Sequence, residues 1–228
     1  MQSPLDLGPR NDLNYIRSTL PGGYPDNGPL RTPIDQLVKS LISNKTKDAV
    51  SLAAFEELVS AFDGDWHAAA KAPAARLRYL IRAVTHPDDK AKHLKETLEF
   101  LATETADFDL SFLADMTIDE AHTWLIKRKG VGPKVAASVL NFSNLDRPSF
   151  VADTHVLRVF RRYGLIDKDD AAVACNLVLE NMTEWTSADL RGFHCQVKIF
   201  GQNICKAEAA ICGKCLLASR CSTHARLS

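Results

Sequence analysis

Residues 129–134 read Lys129-Gly130-Val131-Gly132-Pro133-Lys134 and separate two apolar segments of the chain. Trp124 and Leu125 come shortly before this stretch, and Val135 and Ala136 follow it directly. Glycine permits unusual backbone angles and close approach, and proline fits the first turn of a helix, where its missing N–H is no loss. The stretch therefore predicts a tight turn between two helices, with free amides at the start of the second helix that can face an anionic oxygen.

The rest of the chain has the apolar periodicity of helices. Apolar residues recur at steps of three and four in three segments: Leu52, Phe55, Val59 and Phe62; Leu77, Leu80, Ile81 and Val84; Leu94, Leu98 and Leu101. Breakers at Asp63-Gly64, Pro73 and Pro87 separate the segments, and Thr117 followed by Glu120 forms a capping box that starts another helix. No segment sustains the two-residue alternation of a strand, so the sequence predicts an all-α fold.

The composition is that of a globular protein without excess charge. The chain has 228 residues, of which 46% are hydrophobic, and its 28 basic residues balance 28 acidic ones. Any nucleic-acid binding must therefore come from local charge. Residues 127–162 hold eight Lys or Arg and two acidic residues, a local balance of +6. This run indicates either a phosphate-binding surface or an ordinary solvated face.

Nothing in the sequence predicts a secretory or membrane protein. The first residues lack a basic start followed by an apolar stretch, and no apolar run reaches membrane-spanning length. Six cysteines without the pattern of a disulfide framework suit a reducing compartment. We expect a cytoplasmic protein with no membrane contact.

Four cysteines are grouped near the C-terminus. Cys205, Cys212, Cys215 and Cys221 are separated by six, two and five residues. Four thiolates so close together predict one metal centre, and the spacing alone leaves structural Zn²⁺ and a [4Fe-4S] cluster open. The remaining two cysteines, at positions 175 and 195, are interpreted as core thiols.

A second motif follows the glycine-rich turn. Asp153 comes 19 positions after Lys134 and precedes an amphipathic segment, where it is a natural N-cap. A helix from Lys134 to about residue 144 rises roughly 15 Å. Eight extended residues span at most roughly 26 to 29 Å. The chain can therefore return to the base of that helix, and the two side chains can meet.

Together these motifs resemble a known family. The segment Ser43-Asn44-Lys45-Thr46-Lys47-Asp48, the glycine-rich turn, Asp153-Thr154-His155 and the cysteine spacing occur in the order found in the endonuclease III branch of the helix-hairpin-helix (HhH-GPD) DNA glycosylase superfamily. The resemblance implies a two-lobed fold, with a six-helix domain at 33–147 that carries the hairpin. Residues 1–32 and 148–228 would form the second domain, and the cysteines would bind a [4Fe-4S] cluster rather than zinc.

The resemblance also implies an activity. Members of this superfamily rotate a damaged nucleotide out of double-stranded DNA and excise the base. Lys134 matches a lysine that attacks the sugar, and Asp153 matches the family's catalytic aspartate. A monomeric glycosylase and apurinic/apyrimidinic (AP) lyase is expected, acting on damaged bases, with oxidised pyrimidines favoured, or on abasic sites. The residues expected to contact DNA are Lys45, Lys127, Lys129, Gly130, Val131, Gly132 and Arg158.

Three positions differ from the usual family pattern. Lys45 replaces a glutamine that commonly fills the gap left by the flipped nucleotide, and Lys129 replaces a proline. The loop between the first two cysteines has one basic and one acidic residue. Two alternatives stay open: a relative with another base preference, such as mismatched or alkylated bases, and a catalytically silent DNA-binding protein.

Overall fold

A computed structural model describes residues 8–22 and 30–226 of the chain. Its helices are α1 (Gly8–Thr19), α2 (Pro33–Ser43), α3 (Asp48–Phe62), α4 (Trp66–Lys71), α5 (Ala74–Leu80), α6 (Pro87–Glu104), α7 (Ile118–Ile126), α8 (Pro133–Phe142), α9 (Thr154–Tyr163), α10 (Ala171–Asn181), α11 (Ser187–Asn203) and α12 (Ser222–Ala225). The described residues contain no β-strand, only an isolated bridge between Arg31 and Ser143. The predicted all-α fold is confirmed.

The chain divides into two compact units. One unit is Pro29–Arg147, and the other combines Met1–Gly28 with Pro148–Ser228. The first unit contains α2 to α8, and the second contains α1 and α9 to α12. Each unit has a hydrophobic core of its own.

The core of the first unit forms around α2, α6 and α8. Leu37 on α2, Leu94 on α6 and Leu140 on α8 are fully buried, as are Leu98 and Leu101 one and two turns further along α6. Because leucines that recur at this spacing share one helix face, α6 buries a continuous stripe. The apolar periodicity of this segment is confirmed.

The core of the second unit is rich in aromatic side chains. Phe150, Phe160 and Phe193 are buried, and their ring centroids lie 5.9 to 6.2 Å apart. Trp185 packs edge-on against Phe193 at 4.9 Å. These contacts fix α9 against α11 within the unit, and α9 carries the second sequence motif at its start.

Helix ends follow the local signals in the sequence. Thr117 and Glu120 form the predicted capping box of α7, with each side chain bonded to the other's backbone N–H. Asp63 and Gly64 both have positive φ and end α3. Pro87 occupies the first turn of α6. These ends are set within a few residues, so the sequence alone predicts them.

Two details of the periodicity are wrong. Leu52 is 37% exposed, because the inner face of α3 is formed instead by Ala54, Phe55 and Leu58. Val84 is buried but lies outside α5, which ends at Leu80. The Pro- and Gly-rich stretch from Leu20 to Pro33, which the sequence predicts to be a surface connector, lies half outside the described residues. In the part of the chain that is described, no helix has the length and apolar character needed to cross a membrane.

Candidate functional site

The glycine-rich turn joins α7 to α8 as predicted, but its two glycines differ. Gly130 has a φ of +75°, and a Cβ placed on it would come within 2.9 Å of the His93 side chain. Glycine is therefore required there by both backbone conformation and space. Gly132 has an extended backbone with a φ of −96°, and apart from its two chain neighbours no described residue comes within 4 Å of a Cβ at that position. The expectation of unusual backbone angles at both glycines holds only for Gly130.

The remaining hairpin residues anchor the turn and leave its lysines outside. Val131 is 5% exposed, and its N–H donates to the Arg128 carbonyl at 3.1 Å. Thr97 Oγ1 donates to the Lys129 carbonyl at 3.3 Å. Pro133 occupies the first turn of α8, as predicted. The Lys127 and Lys129 side chains remain exposed on this fixed turn.

Most arginines of the basic run point into the protein rather than toward a ligand. The Arg128 guanidinium lies 3.7 Å from the ring centroid of Phe100 and 5.0 Å from that of Trp124. Burial lowers the pKa of Arg128, because desolvation disfavours the charged guanidinium. Arg147 donates to the carbonyls of residues 114 and 116. The local balance of +6 therefore overstates the charge that this region offers to a phosphate backbone.

Lys134 lies in the first turn of α8, directly after Pro133, and is half-buried. Its surroundings include a second lysine, Lys90, that belongs to none of the sequence motifs. Burial, and secondarily the charge of Lys134, lowers the pKa of Lys90 to about 8. Lys90 lies four residues before Leu94 and eight before Leu98, on the apolar face of α6. A lysine on an apolar helix face is the sequence signal that predicts a buried charge here.

Asp153 caps α9, as the sequence predicts. Its Oδ1 accepts hydrogen bonds from the backbone N–H groups of His155 at 2.9 Å and Val156 at 3.0 Å. The side chain is 7% exposed. His155 makes a local contact, with Nδ1 3.0 Å from Arg158 Nη2. The cap leaves Asp153 held firmly at the start of α9.

Two arginines on α9 bind the cysteine loop. Arg158 Nε donates to the Cys205 carbonyl and Nη2 donates to the Gly201 carbonyl, each at 2.8 Å. Arg162 donates to the carbonyls of residues 206 and 207, at 2.5 and 2.7 Å. The sequence places Arg158 among the DNA contacts, but this network turns its guanidinium inward. Arg158 therefore supports the loop, and its contact with DNA stays a prediction.

The four C-terminal cysteines have the donor chemistry of an iron–sulfur ligand set. All four are half-buried. Burial raises the pKa of the Cys215 thiol, and negative charge on Cys221, Cys205 and Cys212 raises it further. Within residues 8–22 and 30–226, no group of three or more His, Cys, Asp or Glu side chains is placed to hold a metal ion as it stands. The residue types fit a cluster bound through four thiolates.

Cys175 differs from these four cysteines. Its Sγ donates to the Phe150 carbonyl at 3.1 Å, and burial raises its pKa to about 11. A thiol with so little thiolate at neutral pH is a poor ligand and nucleophile. The interpretation of Cys175 as a core thiol agrees with this environment.

Lys45 lies in the turn between α2 and α3 and has a φ of +53°, which is uncommon for a residue other than glycine. Its side chain is exposed. The backbone strain thus occurs at the residue expected to enter the gap in the duplex. Strained residues concentrate at functional positions because the surrounding structure must hold them there.

Residues 38–183 match the model of the HhH-GPD superfamily of base excision DNA repair proteins. The chain belongs to this superfamily.

Individual relatives agree with this family. The chain is 24% identical over 203 residues to endonuclease III of Thermotoga maritima, covering 89% of each protein. It is 28% identical over 195 residues to the chloroplastic endonuclease III homolog 2 of Arabidopsis thaliana, covering 81% of this chain and 47% of that protein. The chain spans about half the length of two Arabidopsis thaliana proteins that it matches, this endonuclease III homolog and a putative DNA glycosylase.

Solved structures share the fold. A trapped covalent intermediate of endonuclease III with DNA superimposes with a TM-score of 0.78 and 21% identity, covering 99% of both chains. A thermostable thymine-DNA glycosylase superimposes with a TM-score of 0.68 and 16% identity. At these identities the likeness concerns the fold.

Proposed function

We propose that this chain is a DNA glycosylase with AP lyase activity, which flips a damaged base out of double-stranded DNA, excises it and cleaves the strand. The observation that carries the proposal is the lysine in the first turn of α8, immediately after the rigid hairpin. Membership of the base excision repair superfamily supports it. We further propose a monomer that works in the cytoplasm on chromosomal DNA.

Lys134 would be the nucleophile. Its neutral amine attacks C1′ of the deoxyribose, the C1′–N bond breaks, and the base leaves with its bonding electrons and takes up a proton. The attached nitrogen gives up a proton, the C1′–O4′ bond breaks as O4′ takes up a proton, and a Schiff base forms between Lys134 and C1′. Removal of a C2′ proton then expels the 3′ phosphate by β-elimination. The positive charge of Lys90 nearby favours the neutral amine.

Asp153 would stabilise positive charge that develops on the sugar and assist proton transfers. Asp153→Asn should lower turnover by about 10²-fold, because the carboxylate charge is lost. Duplex affinity should change much less. Stability should stay within a few tenths of a kcal/mol, because asparagine also caps helices well. Single-turnover kinetics and thermal unfolding measure the two effects.

Asp170→Asn is the matched control for that variant. Asp170 caps α10 by the same two hydrogen bonds, to the N–H groups of residues 172 and 173. The Asp170→Asn variant should leave turnover unchanged. Equal losses of turnover in the two variants would contradict a catalytic role for Asp153 and reduce it to a helix cap.

The exposed lysines of the hairpin would bind phosphates. We propose contacts from Lys127 and Lys129, with Gly130, Val131 and Gly132 bringing the backbone of the turn close to the strand. Since Arg128 is packed on aromatic rings, it is left out of this surface. Each phosphate that the protein neutralises contributes about −0.9 to the log-log slope of affinity against salt.

Lys127→Glu combined with Lys129→Glu should therefore reduce the magnitude of the salt slope by about 1.8, the contribution of two phosphate contacts. Arg128 stays intact so that the hairpin keeps its packing. The control is Lys71→Glu with Lys92→Glu, which makes the same change in net charge at two other exposed lysines. Affinity titrations across salt concentrations measure the slope. A slope that falls equally in both double variants would exclude a specific role for the hairpin.

Oxidised pyrimidines are the proposed substrates. The endonuclease III relatives support this choice, whereas the thymine-DNA and 3-methyladenine glycosylases that share the fold represent other base preferences. Excision from duplexes that each carry one lesion tests it. Release only of mismatched or alkylated bases would overturn the substrate, and binding without any release would favour a silent DNA-binding protein.

We also propose a [4Fe-4S] cluster bound by Cys205, Cys212, Cys215 and Cys221. When bound, it would contribute folding free energy to the loop, which Arg158 and Arg162 already hold against α9. The proposed chemistry transfers protons and forms and breaks bonds to the sugar, and it needs no electron carrier. The cluster is therefore assigned a structural role.

A further inference from the structure

Lys90 is a buried charge that the proposed chemistry does not use directly. It lies near the start of α6 and is 7% exposed. An ammonium is costly to bury unless hydrogen bonds replace those that it makes with water. The partners of Lys90 therefore indicate why it is inside.

All three Lys90 contacts lie at the end of α2 and in the turn that follows. Its Nζ donates to the carbonyls of Ile42 at 2.8 Å and Asn44 at 2.7 Å, and to Thr46 Oγ1 at 2.8 Å. Carbonyls at a helix end lack intrahelical partners, so a cation is well placed there. The three N–H groups of the ammonium match three acceptors. Two of these, the Asn44 carbonyl and Thr46 Oγ1, belong to the residues directly before and after Lys45.

Thr85 holds the same turn from the segment before α6. Its N–H donates to Thr46 Oγ1 at 3.1 Å, and its hydroxyl donates to the Lys45 carbonyl at 2.9 Å. Within the turn, the Thr46 N–H donates to the Ser43 carbonyl at 3.0 Å. The backbone of residues 44–46 is thus fixed by contacts from two directions.

These contacts explain the left-handed backbone of Lys45. A non-glycine residue keeps a φ of +53° only when contacts from the surrounding structure hold its backbone in that conformation. The clamp fixes the backbone and leaves the Lys45 side chain exposed. A rigid support with an exposed side chain suits a residue that must enter a duplex.

We propose that Lys90 is a positioning residue, which clamps the turn of residues 44–46 so that Lys45 is presented to the gap that the flipped nucleotide leaves in the duplex. The inference rests on the proposed function, because only a nucleotide-flipping protein requires a residue in that gap. Lys90 acts through Lys45 and touches no reacting atom.

A double-mutant cycle tests this coupling. The variants are Lys90→Met, Lys45→Ala and their combination, measured by affinity for a duplex with an uncleavable tetrahydrofuran abasic-site analogue, relative to undamaged duplex. This readout is independent of the chemistry at Lys134. Each single variant should lose about tenfold in preference for the abasic duplex, and the combination should lose no more than Lys45→Ala alone. Lys92→Met, the same change at an exposed position on α6, should have no effect.

A second measurement separates positioning from general destabilisation. Thr46→Val keeps the side-chain shape and removes an acceptor that Lys90 Nζ shares with the Thr85 N–H, so it should loosen the clamp and reproduce the loss of preference with the fold intact. Hydrogen exchange in a peptide covering residues 43–48 should quicken in both clamp variants. Additive losses in the cycle, or faster exchange with unchanged preference, would overturn the inference. A wild-type protein without preference for the abasic duplex would instead overturn the proposed function, and the inference with it.

Discussion

Lys134→Gln is expected to abolish strand cleavage and covalent trapping on damaged DNA. Glutamine has no basic amine, so it can neither attack C1′ nor form a Schiff base. The rate of strand cleavage should fall by at least about 10³-fold, which corresponds to losing the covalent route. Duplex affinity should fall little, because Lys134 is one charge beside the hairpin lysines. Single-turnover cleavage and equilibrium binding measure the two quantities.

Lys71→Gln is the control for this prediction, since it makes the same change at an exposed lysine at the end of α4. It should retain cleavage and trapping. Should Lys134→Gln lose affinity in proportion to activity, Lys134 would act as a phosphate contact, and the nucleophile would have to be sought elsewhere.

The second large effect concerns the cysteine loop. Protein prepared without oxygen should be yellow-brown and contain about four irons per chain, as four-cysteine ligation of one cubane requires. Cys212→Ser should release the iron and destabilise the loop, because cluster binding contributes folding free energy. A loss of about 3 kcal/mol would lower the unfolding midpoint by about 6 to 12 °C in a protein of this size. Iron analysis and thermal unfolding measure the outcome.

Cys175→Ser provides a matched comparison. Its thiol donates to a backbone carbonyl, a contact that a serine hydroxyl can keep, and it lies outside the four-cysteine loop. Iron content should be unchanged in this variant. Stoichiometric zinc without iron in the anaerobic wild-type protein would contradict the cluster, and equal iron loss in both variants would contradict the assignment of the ligands.

The parts of the site that the sequence predicts are local. Thr117 and Glu120 lie three residues apart, and Asp153 bonds to amides two and three residues ahead, so each cap is encoded within one helical turn. The sequence also predicts that Gly130 is a turn residue. Its second constraint, the approach of His93, comes from another helix and is invisible in the turn itself.

The parts that the sequence does not predict depend on distant contacts. A count of basic residues treats Arg128 and Arg158 as equivalent to Lys129, yet aromatic rings hold the first and carbonyls across the unit hold the second. Lys90 finds its acceptors more than 40 residues earlier in the chain. Since these partners meet only in the folded unit, charge patterning alone cannot distinguish a buried cation from a ligand-binding one.

Lys134 is proposed to form a covalent bond with the sugar during base excision. The most direct test of this bond is borohydride reduction of the wild-type protein mixed with a duplex that carries an oxidised pyrimidine, followed by proteolysis and mass spectrometry of the adduct. One DNA-linked peptide is expected, with the modification on Lys134. An adduct mapped to another lysine, or base release with no reducible adduct, would contradict it.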